Sequence, residues 1–277
     1  YTLSLHGVLP IYISSDDAGI YFVQVENSLG AVVVSSNSDL YVTDSSLNGS
    51  RPNIIFILAD DLGYGDSGVL YQNSRAAGLP KETTPNLDSF ADEGMQLRMH
   101  YCPAPICVPS RASLMLGVHQ GHANVRDEQW DKAISDTPTL ANVLQAAGYA
   151  TAAIGKWGIG GDDVGGTTPA DWAAFPTKRG FDYFFGYERH ADAHEHYPKE
   201  AINSNGSKEL WDGTNNITST LDKCYTTDLF TARAKKWLED QRAAHPNQPV
   251  FLYLAFDTPH FYYELPTQAY PSGGGTN

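Results

Sequence analysis

The sequence predicts an α/β fold, a mostly parallel sheet flanked by helices and preceded by a short β segment. From residue 51 onward, three strongly apolar segments of strand length alternate with three segments of helical period. Strands that alternate with helices form parallel sheets whose two faces are both covered. The first 45 residues differ, because they are rich in Val, Ser, Tyr and Ile and alternate with a period of two.

The three predicted strands cover residues 53–59, 149–154 and 249–256, and we expect the first and third to be buried. The longest apolar runs, 54–59 and 250–256, fall far short of the roughly 20 residues that a spanning helix requires. We therefore expect no membrane span.

The three predicted helices cover residues 84–94, 137–147 and 225–244. The first begins at a Thr-Pro pair, and the second ends before a glycine suited to a C′ position, Gly148. Each carries an apolar stripe that we expect to face the sheet. The stripes are Leu87, Phe90 and Met95; Leu140, Val143 and Leu144; and Leu229, Phe230, Ala234, Trp237 and Leu238.

The N-terminal segment contains D-x-G-x-Y at 17–21 and N-S-x-G at 27–30. These turns resemble the end of an immunoglobulin-like domain, although Val23 stands where that family has a cysteine. We predict that residues 1–45 are the C-terminal part of such a domain, with about three strands, and that 46–50 form a linker. The alternative is a β-hairpin that belongs to the main domain, residues 51–277.

Composition excludes some classes of function. The net charge is -14, from 18 basic and 32 acidic residues, and no basic stripe marks a nucleic-acid surface. Three cysteines are too few for a disulfide framework. Cys102 and Cys224 could pair, but we expect both to be free and buried.

Polar residues follow all three predicted strands. The first ends in Asp60-Asp61, the second in Gly-Lys156-Trp and the third in Asp-Thr-Pro-His260. Ligands gather at the carboxyl ends of the strands in open α/β sheets, so we expect these residues to form one site. Adjacent carboxylates after an apolar strand suit a hard divalent cation.

Residues 107–111 read C-x-P-S-R, which places Arg111 on the same helical face as Cys107. This run resembles the signature of the type I sulfatases, in the alkaline phosphatase-like superfamily, although Leu116 replaces the usual threonine. The resemblance implies that a formylglycine-generating enzyme converts Cys107 to formylglycine. The hydrated aldehyde is then the nucleophile.

Other passages resemble the same family and imply roles for their residues. Residues 51–66 resemble its opening strand, in which Asp60 and Asp61 bind Ca²⁺ beside the residue made from Cys107; Mg²⁺ is the alternative. Residues 148–157 resemble its second signature, in which Lys156 contacts the formylglycine hydroxyl and the sulfate. Residues 251–260 imply that His260 donates to the sulfate or the leaving oxygen. Arg111 is implied to hold the hydrate and the metal-site carboxylates.

Gly158 stands where this family often has a histidine. Residues 180–187 and 193–198 resemble a bacterial subgroup that shares this glycine. We therefore expect His194 to supply the imidazole as a general acid, with His190 and His196 as rivals.

Two further histidines, His119 and His122, are expected to be structural or to lie at the rim of the site.

These resemblances predict a sulfuric ester hydrolase acting on aryl or carbohydrate sulfates. Two alternatives remain open: a phosphate or phosphonate ester hydrolase of the same superfamily, and a non-catalytic, glycan-binding sulfatase relative. The N-terminal segment suggests a secreted, periplasmic or cell-surface bacterial protein. The resemblance covers Arg51 to about Gly274, the N-terminal half of a sulfatase domain. We expect the remaining metal ligands and a sulfate-binding lysine to lie C-terminal to Asn277.

Overall fold

The computed structural model describes residues 51–129, 132–161, 168, 169, 171–200 and 208–266, together with four short strands near the N-terminus. It divides the chain into two units, Tyr1–Arg51 and Pro52–Asn277.

The first unit holds four described strands rather than the three expected. They pair antiparallel, β1 with β4 and β2 with β3. Their bounds are Gly19–Tyr21, Gln24–Glu26, Val32–Val34 and Ser38–Leu40 for β1 to β4. The turn at 27–30 and the linker at 46–50 lie outside the described residues, so the immunoglobulin-like assignment stays a prediction.

The second unit contains a six-stranded sheet of order β5-β10-β6-β7-β8-β9. The first four strands in this order run parallel, and β8 and β9 add antiparallel pairs at one edge. The three predicted strands, β5, β6 and β10, are therefore neighbours. The bounds are Ile54–Asp60, Ala150–Lys156, Tyr183–Tyr187, Leu210–Asp212, Asn215–Asn216 and Val250–Pro259 for β5 to β10.

The four described helices are α1 (Pro85–Glu93), α2 (Cys107–Leu116), α3 (Leu140–Ala146) and α4 (Thr226–Ala244). α3 begins at residue 140 rather than 137, because Thr139 caps it through a reciprocal bond with Asn142. No helix in the described part of the chain is both long and apolar enough to cross a membrane.

Two apolar layers lie on the faces of the sheet. Alternation along β6 sends Ala153 toward the layer that contains α2 and α3, and Ile154 toward the layer that contains α4. On α4, Phe230 and Trp237 are buried as predicted. The sheet is therefore covered on both faces around β6 and β10.

Predictions about burial were wrong in β5, α1 and α3. On α3, Val143 is 59% exposed instead of facing the sheet. β5 is an edge strand whose Ile55 and Ile57 are 49% and 62% exposed, not a buried one. α1 buries no side chain, and the stripe of Leu87, Phe90 and Met95 is exposed. Among the described residues, no element packs over these side chains, so their apolar pattern has no partner here.

A close approach of three strands lies next to the site. Gly155 of β6 has φ +112° and pairs with Ala255 of β10 and Gly186 of β7. A Cβ on Gly155 would lie 1.9 Å from the Ala255 carbonyl oxygen, and one on Gly186 would lie 2.0 Å from the Gly155 oxygen. Only glycine fits at these two positions, which set the spacing of the strands just before Lys156.

We predict that Gly155→Ala lowers the free energy of unfolding by about 3–5 kcal/mol, because backbone strain adds to an overlap that cannot relax. Urea denaturation measures this change. The control is Gly213→Ala, which also has positive φ but faces open space and should lose only about 1–2 kcal/mol. Equal losses in the two variants would contradict the close approach.

Candidate active site

Three strand ends meet as the sequence predicted. Asp60 is the last residue of β5, Lys156 is the last of β6, and His260 directly follows β10. α2 brings Cys107, its first residue, to the same place. Parallel strands all end at the same edge of the sheet, and this shared edge brings together residues that are far apart in sequence.

A buried carboxylate with two cations forms the centre of the site. Asp60 Oδ2 lies 2.6 Å from Lys156 Nζ, and Asp60 Oδ1 lies 3.2 Å from Arg111 Nη2. Burial alone would raise the pKa of Asp60, but the charges of Arg111 and Lys156 hold it well below its ordinary value. The three side chains therefore carry a net charge of +1, which favours an anion nearby.

Arg111 is held by several partners and keeps one unused donor. Its Nη1 donates to the Lys156 carbonyl at 2.7 Å and to the Tyr253 hydroxyl at 3.2 Å. Its Nη2 is engaged in the ion pair with Asp60, and its buried Nε has no hydrogen-bond partner among the described residues. A guanidinium in this state can hold one more oxygen-bearing group.

Cys107 lies beside this cluster as a free thiol. Ligand atoms of Cys107, Asp60 and His260 lie within 4.8 Å of one another. Burial raises the pKa of the Cys107 thiol to about 11, although the charge of Lys156 lowers it in part. At neutral pH the thiol is therefore protonated and is a weak nucleophile.

Asp61 and His260 form the outer part of the site. Asp61 has φ +64°, and its half-exposed carboxylate lies 3.3 Å from His260 Nε2. Asp60 is the last residue of β5 and points inward, and the left-handed backbone at Asp61 then turns the chain away. The two adjacent aspartates therefore have different environments, one buried between cations and one open to solvent.

Two of the three rival histidines lie in the cluster. The His194 ring stacks on His260, with centroids 4.6 Å apart and planes at 10°. It meets His190 edge-on at 4.8 Å. His190 fills the space beside Gly158, because a Cβ there would lie 3.4 Å from His190 Nδ1. The third, His196, instead faces Asp257 at 3.0 Å, behind His260.

The environment keeps both site imidazoles neutral. Burial lowers the pKa of His194 to about 3 and of His190 to about 2, and the Lys156 charge adds to both effects. His194 Nε2 is buried without a partner among the described residues. Protonation of either ring to the imidazolium therefore requires an added negative charge nearby.

The remaining predicted residues lie outside the cluster. His119 and His122 are exposed, and their expected place at the rim of the site stays a prediction. Cys102 and Cys224 are free as expected, but Cys102 is exposed and Cys224 is half-buried, so their predicted burial was wrong. Tyr253, which contacts Arg111, was not among the site residues predicted from the sequence. Its hydroxyl is the only polar side-chain group in the apolar run 250–256, and this could have indicated a role in the site.

The fold and the site together define an α/β protein with a buried, positively charged cluster at the carboxyl ends of its strands. A family model described as Sulfatase matches residues 52–276. The chain belongs to the sulfatase family, and its fold is that of the alkaline phosphatase-like superfamily.

Individual relatives agree with this assignment. Arylsulfatase J from Mus musculus is 35% identical over 218 residues, which are 76% of this chain and 33% of that protein. The structure of Ps i-CgsB in complex with k-i-k-neocarrahexaose gives a TM-score of 0.56 at 29% identity, over 76% of this chain and 46% of that one. The structure of BT4656 with its substrate, D-glucosamine-2-N,6-O-disulfate, gives 0.57 at 25% identity, over 76% and 35%. The chain thus spans between a third and a half of the length of these three proteins.

We predict that Arg111→Met lowers the free energy of unfolding by about 3–5 kcal/mol, because it breaks a buried ion pair on one side only. The matched control is Arg233→Met. Arg233 also lies 3.2 Å from a carboxylate, Asp212, but both side chains are about one-third exposed. That variant should lose about 1 kcal/mol or less at its ion pair. Urea denaturation compares the two.

The stability that Arg111 gives through Asp60 should depend on pH. A carboxylate with a lowered folded-state pKa stabilises the fold above its unfolded pKa of about 4, and this contribution is lost as pH falls through the folded value. The difference between wild type and Arg111→Met should be constant from pH 5 to 7 and shrink below pH 4. A difference that stays constant into strong acid would show that Asp60 is not the partner that matters.

Proposed function

We propose that this protein hydrolyses sulfate esters, with a nucleophile made from Cys107 and a divalent cation, Ca²⁺ in the first instance. The observation that carries this proposal is the meeting of Cys107 with the Asp60–Arg111–Lys156 cluster at the carboxyl edge of the sheet. The family match of the same segment supports it.

The residues present fit a formylglycine at position 107. As a cysteine, the residue has a protonated thiol, which argues against a direct role for sulfur. The unpaired Nε–H of Arg111, on the same face of α2, is suited to donate to an added hydroxyl. When formed, the hydrated aldehyde supplies an oxygen nucleophile. The ammonium group of Lys156 would lie beside that oxygen and could donate a hydrogen bond to it.

The residues also fit a cation at Asp60 and Asp61. A carboxylate has about four lone-pair positions, so Asp60 can accept more than its two present partners. Asp61 offers an open carboxylate next to it. When bound, a hard divalent cation supplies Lewis-acid stabilisation of charge on a sulfate oxygen. Ca²⁺ and Mg²⁺ differ in the size and number of ligands they require, and Ca²⁺ is our first choice.

Lys156, Arg111 and His260 would bind and orient the anion. Two buried cations against one buried carboxylate leave a local positive charge, despite the net charge of -14 of the chain. A sulfate monoester is a monoanion and would neutralise that excess. His260 Nε2, now near Asp61, lies at the edge where a leaving oxygen would need a donor.

His194 would handle the proton of the leaving alcohol. Its imidazole is neutral because of burial and of the cations around it. A bound anionic ester would offset the charge of Lys156 and raise the proton affinity of the ring. His194 is then charged as a general acid only when substrate is present. His190, beside Gly158, would pack against it.

The substrate class we propose is a carbohydrate or aryl sulfate. The two compared structures contain a neocarrahexaose and a disulfated glucosamine, which favours a sulfated glycan. Maturation would require a formylglycine-generating enzyme as a transient partner. The D-x-G-x-Y segment at 17–21 supports an immunoglobulin-like neighbour and a secreted, periplasmic or cell-surface location.

We predict that co-expression of the intact protein with a formylglycine-generating enzyme replaces the Cys107 thiol by an aldehyde. Mass spectrometry of the tryptic peptide 99–111 measures the change. Because this peptide also holds Cys102, the experiment is done in a Cys102→Ser background, with Cys107→Ala as the unreactive control. An unmodified thiol, while a known sulfatase is converted alongside, would count against the proposal.

We predict that His194→Gln lowers kcat for an aryl sulfate by about 100-fold or more, because a general acid is removed. The rate of the wild-type protein on the matched aryl phosphate tests the alternative function, hydrolysis of phosphate esters. The control is His245→Ala, at an exposed histidine that caps the end of α4 just before β10 begins, which should keep the wild-type rate. Retention of kcat in His194→Gln would leave His190 as the candidate acid.

A further inference from the structure

We propose that His196 is a positioning residue which, together with Asp257, fixes the backbone at His260 and so aims the His260 imidazole at the site. This inference rests on the proposed function, because it takes His260 as a substrate-binding residue. The side-chain contacts that carry this inference are buried.

Both ring nitrogens of His196 have acceptors. Nδ1 lies 3.0 Å from Asp257 Oδ2, and Nε2 lies 3.1 Å from the His260 carbonyl oxygen. The His196 side chain is 1% exposed and that of Asp257 is fully buried. A neutral imidazole has one N–H, so donation to both acceptors requires the imidazolium. Burial opposes that form, but the hydrogen bond and charge of Asp257 raise the pKa of His196.

Asp257 is itself held by the first turn of α4. Thr226 Oγ1 donates to Asp257 Oδ2 at 2.7 Å, and the Thr226 backbone N–H donates to the His196 carbonyl at 2.9 Å. The carboxylate that orients His196 is therefore anchored to both a strand end and a helix start. Such a partner has little freedom to move, so the ring of His196 is fixed as well.

The segment after His260 is tied to the same place. The His196 N–H donates to Glu264 Oε2 at 2.6 Å, and the Tyr262 N–H donates to the His194 carbonyl at 3.4 Å. Two backbone segments, 194–196 and 260–264, are thus joined by bonds on both sides of His196. The stacking of His194 on His260 is a consequence of this joint, so one buried pair orients both imidazoles of the site.

The test compares His196→Gln and Asp257→Asn with a matched control, Thr151→Val. Thr151 is fully buried and donates to the Gly180 carbonyl at 2.8 Å, but it lies near the start of β6, at the opposite end of the sheet. We expect the first two variants to lower kcat about 10- to 100-fold with a smaller change in KM, as for a misplaced catalytic group. The control should keep kcat.

A second pair of variants tests the proposal even if the His196→Gln protein does not fold. Thr226→Val deletes the hydroxyl that holds Asp257, and Thr226→Ser keeps it. Thr226→Val should lower kcat, and Thr226→Ser should restore it. An effect on stability alone, with kcat equal in the two variants, would overturn the proposal.

Two readouts need no turnover and separate this inference from the proposed function. Hydrogen–deuterium exchange of residues 259–266 should be faster in His196→Gln than in Thr151→Val. Affinity for inorganic sulfate, measured by calorimetry, should fall about tenfold in His196→Gln, as for a displaced supporting group. If wild type shows no ester hydrolysis, the proposed function fails while these two readouts still decide the positioning role. Unchanged exchange or unchanged sulfate affinity in a folded His196→Gln protein would overturn it.

Discussion

The site depends on the ionised state of one buried carboxylate. Asp60 lies between Lys156 and Arg111, and its removal would leave both buried cations without this counter-charge. The desolvation of three charges is offset only by their short mutual distances and by bonds to the Lys156 carbonyl and the Tyr253 hydroxyl. Burial favours the neutral form of the neighbouring imidazoles, and the surplus of one positive charge adds to this effect. Both disfavour imidazolium at His190 and His194, whose neutral rings can pack against each other.

The sheet makes this cluster possible by bringing the ends of its parallel strands together at one edge. The glycines at 155 and 186 allow β10, β6 and β7 to approach where a side chain would collide with a carbonyl oxygen. Lys156 directly follows Gly155 in the sequence, so its position depends on this contact between strands. A site assembled on strand ends inherits the rigidity of the sheet, while the loops beyond β10 can vary. His260 is a loop residue in this sense, and the buried pair of His196 and Asp257 gives it the support that a strand would otherwise provide.

The sequence was sufficient for the centre of the site and insufficient for its surroundings. Asp60, Lys156 and His260 follow apolar strands, and the parallel topology requires that such ends meet. The exposed stripe on α1 and the exposed Ile57 on β5 could not be foreseen, because an apolar pattern records which side chains favour burial and not which elements are present to cover them.

The histidines could not be ranked from sequence for a different reason. His194 and His196 are two residues apart, so in a strand they would face the same way. The structure has a short 3₁₀ turn at Asp192–His194, after which the His194 ring contacts the His260 imidazole and the His196 ring contacts the His260 carbonyl. Turn geometry of this kind arises from tertiary contacts rather than from local residue preferences.

The contrast between an acidic chain and a basic cluster has a consequence for the approach of anions. At long range, an anion meets the repulsion of a chain with a net charge of -14, and it meets attraction only close to Lys156 and Arg111. Dissolved salt shortens the range of both forces to about 10 Å at 0.1 M, but it acts mainly on the exposed charges that repel. Moderate ionic strength therefore lowers the barrier to entry more than it weakens the final contact. Anions that carry several charges are repelled the most and therefore gain the most from this screening.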